Sequence, residues 1–237
     1  MVCQPNRSLY TTSLRRVEEM YCILFWFLVL AQASQLASAF TFHGQPVFTH
    51  RSLKTASSLF MMEPIFTPKT DTPFNFGPSA ARDEILYTAE RPGNPIISDD
   101  TKASAETVNE WIDFIKEKGI KHVLVLLDDN EFDTYEDPGL LELYKAGGLE
   151  YHHTPLGAEG AYENTVKILK QVEADGEKAV THCTGGTGRA GRVAAAWLAN
   201  RYELSPEEAT KEAVDAAIEG GVHRLGNVEK LSKWMNV

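Results

Sequence analysis

Val180-Thr181-His182-Cys183-Thr184-Gly185-Gly186-Thr187-Gly188-Arg189-Ala190-Gly191-Arg192 is the stretch whose reading decides the fold. Two patterns overlap in it. Gly186, Gly188 and Gly191 spell G-x-G-x-x-G, the turn that lets a dinucleotide approach backbone. His182 and Cys183, five further residues and Arg189 place a thiol and a guanidinium at the two ends of one loop.

Working outward, Lys178 to His182 reads as a short apolar strand, and Arg192 to Arg201 as an Ala-rich helix. Upstream, Glu84 to Thr88 is a candidate first strand. Ser104 can cap a helix reaching Lys118, with Val108, Trp111, Ile112 and Ile115 on one face. Lys121 to Leu127 is the kind of continuous apolar run buried in a parallel sheet, and Asp128-Asp129 stands at its end. Pro138 to Ala146 reads as a short helix, Leu149 to Thr154 as a strand and Tyr162 to Ala174 as a helix. Ser205-Pro206-Glu207-Glu208 is a capping box that opens another helix, and Val228 to Trp234 a last one. Alternating strands and helices predict an α/β fold with a central, mainly parallel sheet flanked by helices. Ligands in such sheets bind beyond the C-terminal strand ends, where Cys183, Asp128, Asp129 and the loop Pro155 to Gly160 all fall.

That context separates the two patterns. A dinucleotide site needs a second strand ending in an acidic residue about twenty residues on. Here another helix follows instead, and the loop has no Lys for a G-x-x-x-x-G-K-[ST] site. The thiol reading uses every residue of the stretch. Glycines let successive N–H groups point at an anion, and a helix N-terminus adds partial positive charge. Arg189 can grip two phosphate oxygens. The same field favours Cys183 as thiolate, a nucleophile for phosphorus.

His182 to Arg189 resembles the signature loop of the protein tyrosine and dual-specificity phosphatase superfamily, and the elements from 83 to 237 resemble its compact dual-specificity type. The resemblance implies a cysteine-dependent phosphatase with Cys183 as nucleophile and Arg189 as clamp. Thr184, Gly185, Gly186, Thr187 and Gly188 would supply the amide cradle and His182 would orient the loop. The mechanism uses no cofactor, and no metal ligand is assigned. Two departures stand out. The superfamily usually places Ser or Thr after the arginine, where this chain has Ala190, as plastid glucan phosphatases do. Its general acid is an Asp in the loop that here reads Pro155-Leu156-Gly157-Ala158-Glu159-Gly160. Glu159 is the first candidate for that acid, Asp128 and Asp129 the next, and Glu163 another. The expected substrate is a phosphorylated protein. The alternatives are a phosphoglucan, or a phosphate-binding pseudophosphatase without turnover.

The N-terminal region reads as an address. Tyr21 to Ala33 is apolar but shorter than the about 20 residues of a full membrane crossing, and Ala37-Ser38-Ala39 follows as a cleavage pattern. Residues 40–62 carry Arg51 and Lys54, several Ser and Thr, and no acidic residue. Ala37-Ser38-Ala39-Phe40 resembles the ASAF motif of precursors bound for secondary plastids, with ordinary secretion as the alternative. The expected organisation is a signal peptide over 1–39, a transit segment over 40–62, a linker over 63–82 and a catalytic domain over 83–237. Cys3 and Cys22 would leave with the presequence, so Cys183 would have no disulfide partner. Residues 1–62 hold five basic and two acidic residues, which leaves 18 basic against 31 acidic in 63–237, a net of −13. So acidic a domain argues against nucleic acid or an anionic membrane as partner of the mature form, and requires any phosphate site to be local.

Overall fold

The computed structural model describes residues 63–98 and 100–237. The signal and transit readings lie outside the described residues. The strands are β1 (Ile65–Phe66), β2 (Gly77–Pro78), β3 (Leu86–Glu90), β4 (His122–Val125), β5 (Glu150–His153), β6 (Ala179–Cys183) and β7 (Leu225–Gly226). The helices are α1 (Ala105–Glu117), α2 (Leu140–Ala146), α3 (Ala161–Ala174), α4 (Gly188–Tyr202), α5 (Pro206–Glu219) and α6 (Val228–Met235). One sheet runs in the order β2-β3-β6-β4-β5, and β1 pairs with β7 separately. The pairs β3–β6, β6–β4 and β4–β5 are parallel, while β2 is antiparallel to β3. The mixed α/β fold with a central, mainly parallel sheet is as the sequence predicts.

Alternation along β4 and its extension divides the core. Val123, Val125 and Leu127 pack with Trp111, Ile112, Ile115 and Tyr144 of α1 and α2. Leu124 and Leu126 pack with Leu169 of α3 and with Val193 and Trp197 of α4. Both layers exclude water, so each large apolar side chain stabilises the fold by about 1.5–3 kcal/mol. β6 is buried at all five residues because it carries helices on both faces. The helix α4 can lie close to the sheet because Ala190, Gly191, Ala194, Ala195 and Ala196, all buried, keep its surface low.

Two expectations are corrected. Residues 63–82 are packed on the domain, where the sequence suggests a linker. Thr67 is buried, its N–H donates to Arg224 O (3.0 Å) and its hydroxyl to Val222 O (2.5 Å). β2 closes the sheet edge beside β3. Phe76 stacks on Tyr87 at 5.2 Å between ring centroids. Composition rich in Pro and Thr suggests an unattached chain, but Thr67, Thr70 and Thr72 donate to the carbonyls of Val222 and Gly221. The second correction is at α4, which starts at Gly188 rather than Arg192. Glycine has poor helix propensity, yet the turn after β6 sets the helical direction before propensity can act.

Candidate active site

Cys183 is the last residue of β6 and is 4% exposed. The chain then wraps toward α4. Gly186 has φ +67, and a Cβ there would sit 2.6 Å from Ala89 C and Glu90 N. Only glycine fits, on both backbone and steric grounds. Asn75 staples the loop from the N-terminal segment: its Nδ2 donates to Gly185 O (3.0 Å) and His223 O (2.9 Å), while His223 N donates to its Oδ1 (2.7 Å). No backbone N–H from Thr184 to Ala190 finds a hydrogen-bond acceptor among the described residues. These donors and the α4 N-terminus, which has no side-chain cap, form a ready anion cradle.

Arg189, in the first turn of α4, is engaged by its own chain. Its Nη1 donates to Leu126 O (2.8 Å) and Glu131 Oε2 (2.5 Å). Its Nη2 donates to Glu131 Oε1 (2.9 Å) and Thr184 Oγ1 (2.7 Å). Among the described residues Nε has no such partner. Glu131 lies in the 3-10 turn Asp129–Thr134 after β4, and it also accepts from Thr184 Oγ1 (2.6 Å) and Asp128 N (2.9 Å). Burial works against its ionised form. The hydrogen bonds from Arg189, Thr184 and the Asp128 backbone outweigh that and pull its pKa to about 2. The same pairing with Glu131 raises that of Arg189.

His182 is fully buried. Its Nε2 lies 3.0 Å from Tyr144 Oη, and Trp111 meets its ring edge-on. Burial first, then the charges of Arg189 and Arg91, push its pKa down to about 3, so it is neutral at ordinary pH. Nδ1 has no partner.

A cleft of about 340 Å³ opens on the loop and continues between α4, α5 and α6. Cys183, Thr184, Gly185, Thr187, Gly188 and Arg189 line one end, and Arg192, Arg224 and Lys230 line the rest. No carboxylate lines it. A chain this acidic thus has a locally basic cleft, the condition an anion site requires.

The candidate acids are spread out. Asp128 is exposed, with Oδ2 3.7 Å from Arg189 Nη1. Asp129 is exposed beside it. Glu159 is exposed in the turn between β5 and α3, with no side-chain hydrogen bond among the described residues. In sheet order β5 stands one strand beyond β4 from β6. Glu163 faces a separate surface hollow with Tyr162 and Lys170. Sequence reading missed Glu131, Asn75 and Tyr144. Glu131 sits three residues after Asp128 in an Asp-x-x-Glu pattern, a local signal for a capped turn. Asn75 and Tyr144 have no local signal at all.

Residues 99–210 match the family described as cyclin-dependent kinase inhibitor 3. The cyclin-dependent kinase inhibitor 3 of Sus scrofa is 31% identical over 126 residues, covering 51% of this chain and 59% of that protein. That of Homo sapiens is 29% identical over the same length, with the same shares. The chain therefore spans a little over half the length of the curated relatives it matches. A crystal structure of kinase associated phosphatase, carrying a serine in place of its catalytic site cysteine, superposes with a TM-score of 0.51 at 24% identity. It covers 65% of this chain and 89% of that one, and shows that the two share a fold. The chain is thus similar to these inhibitors in sequence over residues 99–210 and to that phosphatase in fold.

Proposed function

We propose that the protein hydrolyses phosphate monoesters through a thiophosphate on Cys183. The observation that carries this reading is the ring of unpaired N–H groups from Thr184 to Ala190, closed by Arg189 around a thiol. The phosphoryl group sits in that ring, its equatorial oxygens held by the amides and by Arg189. Cys183 Sγ forms the S–P bond as the bond to the leaving oxygen breaks, and that oxygen takes a proton from a carboxylic acid. Glu159 is the assigned donor and Asp128 the second candidate. Water then breaks the S–P bond, returning its proton to the same carboxylate and the thiolate to the enzyme. Glu131 keeps the guanidinium of Arg189 in one plane, so it positions the clamp without touching substrate.

The substrate class is a phosphorylated protein, and the likeness to cyclin-dependent kinase inhibitor 3 makes a kinase the first candidate to test. The ASAF-like junction supports delivery of the enzyme to a plastid, with secretion as the alternative. A fusion of residues 1–62 to a fluorescent reporter should enter the plastid, and Phe40→Ala should retain it outside.

Phosphate release from an aryl phosphate, with chelator present, tests the chemistry. Cys183→Ser should abolish it. Glu159→Gln and Asp128→Asn should be compared for loss of the alkaline limb of the kcat profile, which identifies the acid. The second reading, a module that binds phosphate without turnover, rests on buried Ala190, which offers no hydroxyl to the departing thiolate. Phosphopeptide bound by the reduced protein with no phosphate released would favour it.

A further inference from the structure

At the opposite ends of the strands, far from Cys183 in the sheet register, lies a cluster the phosphatase reading does not use. His122 opens β4, and Glu150 and His152 lie two apart in β5. In the parallel register His122 stands beside Glu150 and Leu124 beside His152, so all three side chains project from the same face, under α3. His122 Nδ1 and His152 Nε2 are 3.3 Å apart. Glu150 Oε2 is 3.8 Å from the first and Oε1 3.9 Å from the second. The other nitrogen of His122, Nε2, lies 2.6 Å from Glu177 Oε2.

We propose that His122, His152 and Glu150 form a binding site for a zinc-class divalent cation, with Glu177 orienting His122.

Two imidazole nitrogens bound to one tetrahedral zinc at 2.0–2.1 Å would be about 3.3–3.4 Å apart, and these already are. The Glu177 contact holds the proton of His122 on Nε2, which leaves the lone pair at Nδ1 facing His152. That carboxylate–imidazole–metal relay is how metal-bound histidines are held. Glu150 is 68% exposed at its side chain and free to close the last few tenths of an ångström. His152 is half-buried with Nε2 toward His122 Nδ1. Its Nε2 becomes a ligand once its proton sits on Nδ1. The cluster opens into a cleft of about 380 Å³ whose lining adds Asp175 and Glu177 on the negative side and Lys167 on the positive. Lys121 is paired with Glu177 on the far side of His122, so Glu150 is the carboxylate that faces both histidines. The fourth position faces the cleft, open to water. Two histidines and one carboxylate suit zinc rather than magnesium or calcium, which take oxygen ligands.

The test is zinc binding to the full, reduced chain by calorimetry, followed by the visible spectrum of the cobalt(II) form. One zinc per chain is expected, retained in Cys183→Ser and weakened more than about tenfold in His152→Ala. Glu177→Gln, outside the first coordination shell, should weaken it about 10–100-fold. Cobalt should give the intense visible bands of a four-coordinate site, lost in Glu150→Gln or His152→Ala. Circular dichroism melting of each variant verifies that it is folded, and neither substitution removes a buried core side chain. Zinc bound equally by wild type and His152→Ala, or bound only through cysteine, overturns the proposal. So does absence of binding by the wild type. None of these outcomes depends on phosphate release, so the phosphatase reading stands or falls separately.

Discussion

His182 and Glu131 set the pH behaviour of the loop. The histidine binds its proton at about 3 in the folded protein and near 6.5 when unfolded. Between those values the unfolded chain takes up a proton that the folded one refuses. Its contribution is therefore fully present above about 6.5, and stability falls by up to about 1.4 kcal/mol per pH unit as the pH drops. Glu131 adds to this below 4.5, where its paired carboxylate begins to resist protonation down to about 2. Its pairing contributes about 2 kcal/mol after solvent screening, present above 4.5 and lost as the pH falls toward 2. Urea unfolding from pH 7 to 4 should show a steep decline in the wild type and a flatter one in His182→Asn. Glu131→Gln has a kinetic consequence as well. It takes the charged, bidentate partner from Arg189 and leaves Leu126 O and Thr184 Oγ1 as its close acceptors, so kcat/KM for an aryl phosphate should drop at least about tenfold, the scale of a charge-assisted hydrogen bond. An unchanged kcat/KM would remove Glu131 from the positioning role.

At the scale of elements, the turn from β6 into α4 is the point where local geometry and chemistry meet. Gly186 needs φ +67 and has Ala89 backbone 2.6 Å from where a Cβ would be. Gly186→Ala should therefore displace the loop. A shift of about 1 Å is enough to cost roughly a hundredfold in turnover, while far-ultraviolet circular dichroism stays near wild type. A second test lies at the junction of α4 and α5. Ser205 Oγ accepts from Glu208 N at 3.2 Å, and Glu208 Oε2 accepts from Ser205 N at 2.9 Å. Ser205→Ala should cost about 1 kcal/mol by urea denaturation, with phosphate release unaffected.

The whole molecule is tied together by its first described residues. Asn75 reaches the loop, Thr67 and β1 reach β7, and β2 covers the edge of β3. Deleting 63–82 removes all three. Residues 83–237 alone should melt lower than 63–237 and release phosphate more slowly, because Gly185 loses its staple and β3 becomes an unprotected edge. Equal melting temperatures would mean that the segment rests on the surface without supporting it. Asn75→Ala isolates the staple, with an expected loss of about 1–3 kcal/mol for the groups left unpaired.

What was legible in the sequence is what local chemistry determines. The run of four apolar positions in α1, the Ser104 cap, the Ser205 capping box and the continuous apolar β4 follow from periodicity and capping, and the structure has all of them. The thiol, glycines and guanidinium of the loop are neighbours in the chain, so their pattern survives as a string of letters. What only the tertiary structure decided involves residues far apart in sequence. Glu131 meets Arg189 across 58 positions, and Asn75 meets Gly185 across 110. The packing of 63–82 depends on partners near 222–226, which no local composition announces. His122, His152 and Glu177 read separately as one strand residue, another strand residue and a turn residue. Parallel pairing of β4 with β5, and the turn before β6, bring them within hydrogen-bond reach. Chain letters determine propensity and motif. Long-range contact is determined by the register of the sheet, and the register is a property of the folded molecule.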